Sequence, residues 1–370
     1  MPRVPLSVLD LVPVSSGSTT ADAVRNAIDL ARRVEEFGYR RYWFAEHHLN
    51  PGVLGSSPSV LIALASAATS HIRLGSAGFQ LGHRTALSVV EEVGLVDAVH
   101  PGRIDLGLGR SGGRPPSTAA TATPITPPND LVVPKPFSFR RLLGSPRIAL
   151  QQRLLQLPGA QAPDYGEQID ELLALLRGTY RHDGVEAHAS PGEAAQVEVW
   201  ILGSSGGESA TVAGERGLRF AANYHVAPSG VLEAVAAYRS AFRPSEFLEA
   251  PYVSVSADVV VADDDATARE LAAGYAPWVR SIRTAAGAIP FPTPAEAAAL
   301  PWTEEERELV ADRLETQFVG SPGTVAARLL ELQEATDADE LVVTTITHDH
   351  ADRVRSYELL AKEWNSDSGS

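Results

Sequence analysis

Apolar positions along the chain fall into two alternating patterns. Short runs rich in aliphatic and aromatic residues predict buried β-strands at Val4–Leu11, Arg41–Ala45, Ile72–Phe79, Arg103–Gly109, Val197–Leu202, Arg219–Ala222, Tyr252–Val261 and Glu340–Ile346. Between and after them, apolar residues at helical spacing predict helices: Thr20–Phe37, Pro58–Ser70, Ala86–His100, Tyr165–Leu176, Glu208–Arg216, Gly230–Ala241, Asp264–Thr284, Thr303–Gln317, Pro322–Thr336 and Ala351–Trp364. Local signals agree. Ser18-Thr19-Thr20 starts the first helix, and Gly38 supplies the left-handed residue that stops it. Eight strands, each followed by helix, in 370 residues predict an α/β fold, a closed TIM (β/α)8 barrel forming a single domain over residues 1–364, in preference to an open doubly wound sheet.

Two stretches break the rhythm. Ser111–Pro163 is rich in Pro, Thr and Gly, carries the basic pair Arg140-Arg141, and is too long for an ordinary βα loop. It is expected to be an insertion after strand 4 with little regular structure, either a lid or a disordered surface loop. A second insertion, residues 286–320 around the Pro-rich Ile289–Pro301, follows strand 7. The polar tail 365–370 is expected to be disordered.

Composition narrows the partners. A net charge of −15 disfavours nucleic acid and anionic membranes. The absence of Cys excludes disulfides, thiolate nucleophiles and Cys-ligated metals. No N-terminal signal-like run and no apolar run of spanning length are present, so a soluble cytoplasmic protein is expected.

The candidate chemistry sits where strands end, which is where parallel α/β proteins build their sites. Tyr42-Trp43-Phe44-Ala45-Glu46-His47-His48 runs from buried strand straight into three ionisable residues. Adjacent residues of an extended chain point to opposite faces, so His47 and His48 are poorly placed to chelate one metal. Gly107-Leu-Gly109-Arg-Ser-Gly112 fits G-x-G-x-x-G, yet Pro115-Pro116 follows instead of a helix, which disfavours a dinucleotide fingerprint. The small side chains suit a flat ligand lying on backbone, and Arg110 offers a guanidinium either to an anion or to a surface ion pair. Gly203-Ser204-Ser205-Gly206-Gly207 precedes a helix. It is either a nucleophile elbow, with Ser205 backed by Asp258 and His348, or a phosphate cradle, which requires no further parts and is favoured. His348-Asp349-His350 reads as a polar helix start capped by Asp349 more readily than as a metal cluster. Glu91, flanked by Val89, Val90 and Val93, belongs either to a solvated face or to an inward one.

These segments together resemble the bacterial luciferase-like flavin monooxygenases. The resemblance runs through Leu6-Ser-Val-Leu-Asp10, Gly38-Tyr-Arg-Arg-Tyr-Trp-Phe-Ala-Glu-His-His48, Ile72-Arg-Leu-Gly75, Pro101-Gly-Arg-Ile-Asp-Leu-Gly-Leu-Gly-Arg110, Glu215-Arg-Gly-Leu218 and Ser321-Pro-Gly-Thr-Val325. It implies a TIM barrel, usually a homodimer, that holds reduced FMN at the C-terminal face. The FMN would come from a separate flavin reductase, and O2 would be the co-substrate, giving a C4a-peroxyflavin that oxygenates a small organic substrate of secondary metabolism. Residue by residue, it implies His47 as the active-site histidine beside the flavin, and Ala77 and Gly78 as a strained, often cis, peptide under the ring. It implies Glu91 as a carboxylate reaching the flavin pocket, Arg110 as the guanidinium on the phosphate, and Gly203, Ser204, Ser205 and Ser209 as the phosphate cradle. No metal is implied. The chain departs from the family at Gln80-Leu-Gly-His-Arg-Thr85, where relatives often have Met-Leu-Pro-Asn-His-x-Pro, and at Ser111-Gly-Gly113, where close relatives have Ala-Pro-Gly. Alternatives are a deazaflavin-dependent oxidoreductase on the same barrel, a non-catalytic flavin-binding protein, and a serine hydrolase using Ser205.

Overall fold

A computed structural model of the protein describes residues 2–110, 125–138, 142 and 144–366. Eight parallel strands form the expected barrel: β1 Leu6–Asp10, β2 Arg41–Phe44, β3 Arg73–Ser76, β4 Ile104–Gly109, β5 Glu198–Gly203, β6 Arg219–Asn223, β7 Val253–Val261 and β8 Glu340–Thr344. Each is hydrogen-bonded to the next, and β8 pairs with β1 to close the ring. Around it lie α1 Thr20–Glu36, α2 Pro58–Ser66, α3 Ala86–Val99, α4 Tyr165–Leu176, α5 Glu208–Glu215, α6 Val231–Ala241, α7 Pro322–Thr336 and α8 His350–Ser366. Thr19 and Asp22 form a reciprocal capping box at the start of α1, and Gly38 follows its end at φ +85°.

The strands are buried on both faces because both are covered. Val253, Val255, Ala257, Val259 and Val261 of β7 face the helices, whereas Leu9, Trp43, Trp200, Ala221 and Val342 fill the barrel interior. The floor of that interior is ionic. Arg41, the first residue of β2, is fully buried and reaches Asp105 at 2.8 Å, Glu198 at 2.9 Å and Glu340 at 2.7 Å. Burial alone would push this guanidinium towards its neutral form; Asp105 and Glu340 override it and hold the charge. The Trp43 indole also donates to Asp105, at 2.8 Å, and the Arg41 guanidinium lies 4.8 Å from the Trp200 ring centre.

Several elements differ from expectation. The helix expected over Asp264–Thr284 is two helices, Asp265–Leu271 and Tyr275–Arg283. Gly274 packs so tightly on Phe291 that a Cβ there would lie 2.6 Å from its ring, and Pro277 falls in the first turn of the new helix, where its missing N–H has no intrahelical partner to lose. The third strand stops at Ser76 and resumes as Phe79–Gln80, with a cis peptide between Ala77 and Gly78. Phe318–Gly320 adds a short strand beside β7. A hairpin, Arg181–His182 with Val185–Glu186, turns on Asp183-Gly184, both at positive φ. Asn365 and Ser366, expected in the tail, continue α8, and residues 367–370 lie outside the described residues.

The second insertion covers part of the barrel mouth and is stitched to it through backbone. Val14 N–H donates to Gly52 at 2.9 Å, Gly52 to Ala288 at 2.7 Å, Phe291 to Val14 at 2.7 Å, and Ser16 to Phe291 at 2.9 Å. A Cβ on Gly52 would sit 1.8 Å from the Ile289 carbonyl oxygen, so only glycine permits this approach. Below, Arg313 of the helix Glu304–Thr316 donates to Asp258 of β7 at 2.9 Å, and Tyr275 donates to the same carboxylate. Of the first insertion, residues 111–124 and the pair Arg140-Arg141 lie outside the described residues. Its described parts include the helix Pro146–Leu155 and rest on the body: Tyr224 donates to the Val132 carbonyl at 2.7 Å, Gln156 to that of Gly82 at 3.0 Å, and Arg147 to that of Ala285 at 3.0 Å.

Candidate active site

The end of β2 organises one side of the mouth. Ala45 N–H still pairs with the Asp10 carbonyl at 3.0 Å, and His47 N–H turns to that of Gly55 at 2.8 Å. Between them Glu46 points inward with no exposed side chain. Its Oε1 accepts from His48 Nε2 at 3.0 Å, His83 Nε2 at 3.1 Å and Arg84 Nε at 3.2 Å; its Oε2 accepts from the Gln80 N–H at 3.0 Å. Burial opposes the charge, but these donors outweigh it and hold the carboxyl well below the usual range. Glu46, His48 and His83 are the one group of metal-ligating type among the described residues. The oxygen that a cation would need is already taken by both imidazoles and by a guanidinium, whose charge opposes a metal. The cluster is therefore a hydrogen-bonded hub tying the end of β2 to the loop after β3. Glu46 and His48 were unassigned from sequence; their partners come from the segment Gln80–Thr85, where the chain departs from the family it resembles.

The two histidines part company as strand geometry requires. His48 turns into the hub, edge-on to His83 with ring centres 5.2 Å apart. His47 instead lines an open groove of about 670 Å³ together with Val24 of α1, Leu49, Val53, and Val60, Leu61 and Leu64 of α2. The residue is exposed to solvent, but protein packs densely enough around its ring that desolvation first, then His48, with Glu46 opposing, lower its pKa to about 4. A neutral imidazole at working pH is a proton acceptor.

Ala77 belongs to the barrel-interior packing, and its N–H donates to the Phe44 carbonyl at 2.8 Å. A Cβ on Gly78 would lie 2.8 Å from the Gly107 backbone and from Leu202, so the barrel's own backbone explains this glycine before any ligand does. Glu91 is half-buried on α3 and forms no hydrogen bond or ion pair among the described residues; Arg84 recruits Glu92 instead, at 3.3 Å.

Across the mouth, Arg110 follows β4, and Gly203, Ser204 and Ser205 follow β5. A Cβ on Gly203 would be 2.8 Å from the Phe220 ring and 3.2 Å from Ser209 Cβ, so the loop is tucked against α5. No side chain caps α5, whose N-cap is Gly207, and the Ser204, Ser205 and Ser209 hydroxyls make no hydrogen bond among the described residues. Open amides at a helix N-terminus, three hydroxyls and a guanidinium suit a phosphate. One group does not: Arg110 Nη1 already holds Glu208, the first residue of α5, at 2.9 Å.

The hydrolase arrangement is not assembled. Asp258 is committed to Tyr275 and Arg313, while His348 contacts Ser16, with its Nε2 3.2 Å from Oγ, and neither joins Ser205. His350 pairs with Asp29 at 3.0 Å, and Asp349 accepts from Ala351 N–H at 2.7 Å, so the His-Asp-His run is a helix start with diverging histidines. Sequence reading missed His225, two residues beyond β6. Its Nδ1 lies 2.7 Å from Ser256 Oγ, and burial first, then Arg313 and His47 against Asp258, lower its pKa to about 4. The signal was the one that singled out His47: an ionisable residue just past a strand's C-terminal end.

Comparison with known proteins places this arrangement. The family model of luciferase-like monooxygenases matches residues 4–130 and 154–339. Bacillus subtilis (strain 168) YvbT, an uncharacterized protein, is 36% identical over 364 residues, covering 98% of this chain and 97% of the relative. A luciferase-like monooxygenase of Escherichia coli (strain K12) is 32% identical over 357 residues, 96% of each chain. The crystal structure of apo-MsnO8 has a TM-score of 0.79 at 29% identity and 98% coverage of both chains. More distant structures show the shared fold alone. They include the oxygenating constituent of 3,6-diketocamphane monooxygenase from Pseudomonas putida in complex with FMN (TM-score 0.66, 20% identity, 97% of both chains). Another is an F420-dependent secondary alcohol dehydrogenase (TM-score 0.60, 13% identity, 98% of this chain and 99% of that one).

Proposed function

The chain belongs to the luciferase-like monooxygenase family, and from that premise we propose that it is an FMN-dependent monooxygenase acting with O2 on a small, largely apolar substrate. The observation that carries the reading is that strand ends on one mouth of the barrel bear both an anion-suited cradle, at Arg110 after β4 and Gly203–Ser209 after β5, and a histidine of lowered pKa, His47 after β2, on an open, mainly apolar groove. Reduced flavin, when bound, supplies the electrons for oxygen activation. Arg110, Ser204, Ser205 and Ser209 would hold its phosphate and so fix the ring's position. Ala77 and Gly78 would lie against the ring, and Glu91 would reach the same pocket from α3. His47 moves a proton at the substrate oxygen. The reduced flavin comes from a separate reductase, and the setting is the cytoplasm; among the described residues no helix is long and apolar enough to cross a membrane.

A deazaflavin reading is kept because an F420-dependent enzyme shares the fold. Titration of the purified protein with FMN, reduced FMN and the deazaflavin under air separates the two. Binding of reduced FMN with oxygen-dependent spectral turnover is expected; binding of the deazaflavin alone sinks the proposal.

A homodimer also has a physical basis here. α2 and α3 pack side by side and leave Val60, Leu64, Leu95 and Val99 exposed, the first two also lining the groove at His47. Such a strip is the kind of patch that a second copy covers. Light scattering should give twice the chain mass, and Leu95→Glu with Val99→Glu should halve it; a monomeric parent protein would refute the assignment.

A further inference from the structure

Resting on the flavin reading above, we infer that Glu208 is a specificity-determining residue that weakens the hold on the flavin phosphate, so that FMN is bound little better than the phosphate-free riboflavin and is readily exchanged. The Arg110 guanidinium is about a quarter exposed and meets the Glu208 carboxylate at 2.9 Å. The recess beside them is lined by Gly82, Pro163, Asp164, Tyr165 and Gln168 as well as by that pair, with the Arg216 guanidinium acting on Asp164. Asp164 is committed: its carboxylate caps α4 by accepting from Glu167 N–H at 3.1 Å. Glu208 has no such duty. It occupies the first position of α5, and the helix is left without a side-chain cap. Its carboxylate stands at the same guanidinium that a phosphate would use.

A phosphate monoester carries between one and two negative charges near neutral pH, and its best seat here is between Arg110 and the open α5 amides. To take that seat it must displace Glu208 from Arg110 and then endure the carboxylate nearby. Because both side chains are partly exposed, solvent screening keeps the penalty to about tenfold in affinity. Riboflavin lacks the phosphate and incurs neither cost. The competing account is that Glu208 is only a favourable charge at a helix start. In that case it has no bearing on which flavin binds.

Flavin-fluorescence titrations decide between these accounts, with oxidised FMN and riboflavin, on the parent protein, Glu208→Gln and Glu208→Gln with Arg110→Gln. Glutamine keeps the shape and removes the charge at an exposed position, so the variant folds, as circular dichroism would verify. Glu208→Gln is expected to tighten FMN about tenfold and to leave riboflavin within twofold. The gain should vanish when Arg110 is also replaced and should shrink in about 0.5 M salt. An FMN-to-riboflavin ratio that does not move, or equal tightening of both flavins, overturns the role of Glu208. No binding of either flavin to any of the three proteins overturns the flavin reading itself, and this inference with it.

Discussion

Replacing His47 with alanine leaves the barrel folded and flavin bound, and lowers turnover by about 10²- to 10⁴-fold, the range that a positioned proton-transfer group contributes. The ring is not part of any buried hydrogen-bond network, so its removal does not unpick the mouth, unlike that of its neighbour Glu46. In the parent protein the acid limb of kcat/KM should lie near pH 4, well below the ordinary histidine range, since burial and His48 depress the pKa to about 4. The sign for stability follows. The unfolded chain takes up a proton near pH 6.5 that the folded ring refuses until about pH 4, so stability falls as pH drops across that window. The depressed Glu46 carboxyl adds to the acid loss below its unfolded value near 4.5. Stopped-flow turnover with pre-reduced FMN, alongside equilibrium flavin binding, checks the variant. Unchanged turnover removes His47 from the chemistry, and an acid limb near pH 6.5 shows that the fold does not depress its pKa.

The second large effect lies at the other end of the barrel. Arg41→Met should destabilise the fold by about 3–5 kcal/mol, because Asp105 and Glu340 would be left buried, and Glu198 half-buried, with their shared cation gone. Burial does not favour this cluster; the pairing makes it tolerable, so removing one partner costs more than the cluster contributes. Denaturant midpoints, compared with that of an exposed control such as Arg25→Met, measure the loss. A change below about 1 kcal/mol would mean that Arg73 and Arg219, which also reach these carboxylates, suffice without it.

The barrel was legible because its strands are short runs rich in aliphatic and aromatic residues, separated by helices of ordinary length. What escaped was long-range. Arg41 at a strand start looks like any surface charge until three distant strands bring carboxylates to it. The break at Gly274 was invisible because the reason for it, the Phe291 ring, lies seventeen residues on in the second insertion. At the site, single positions stood out wherever a strand ran directly into ionisable residues, as at Glu46-His47-His48. Their partners did not, since His83 and Arg84 sit in a loop with no periodicity. Glu208 was passed over because a glutamate in a helix's first turn is commonplace; only the fold shows it reaching Arg110.

The backbone seam joining Val14, Gly52, Ala288 and Phe291 sets the unit of exchange for anyone building chimeras from this scaffold. An insertion transplanted from a relative carries its half of that ladder, but the barrel must supply the other half in matching register, including a residue without a Cβ opposite Ile289. The portable module is therefore three pieces of chain, residues 12–16, 50–55 and 272–320, moved together. Swapping the obvious loop alone would graft a cap with nothing to fasten it.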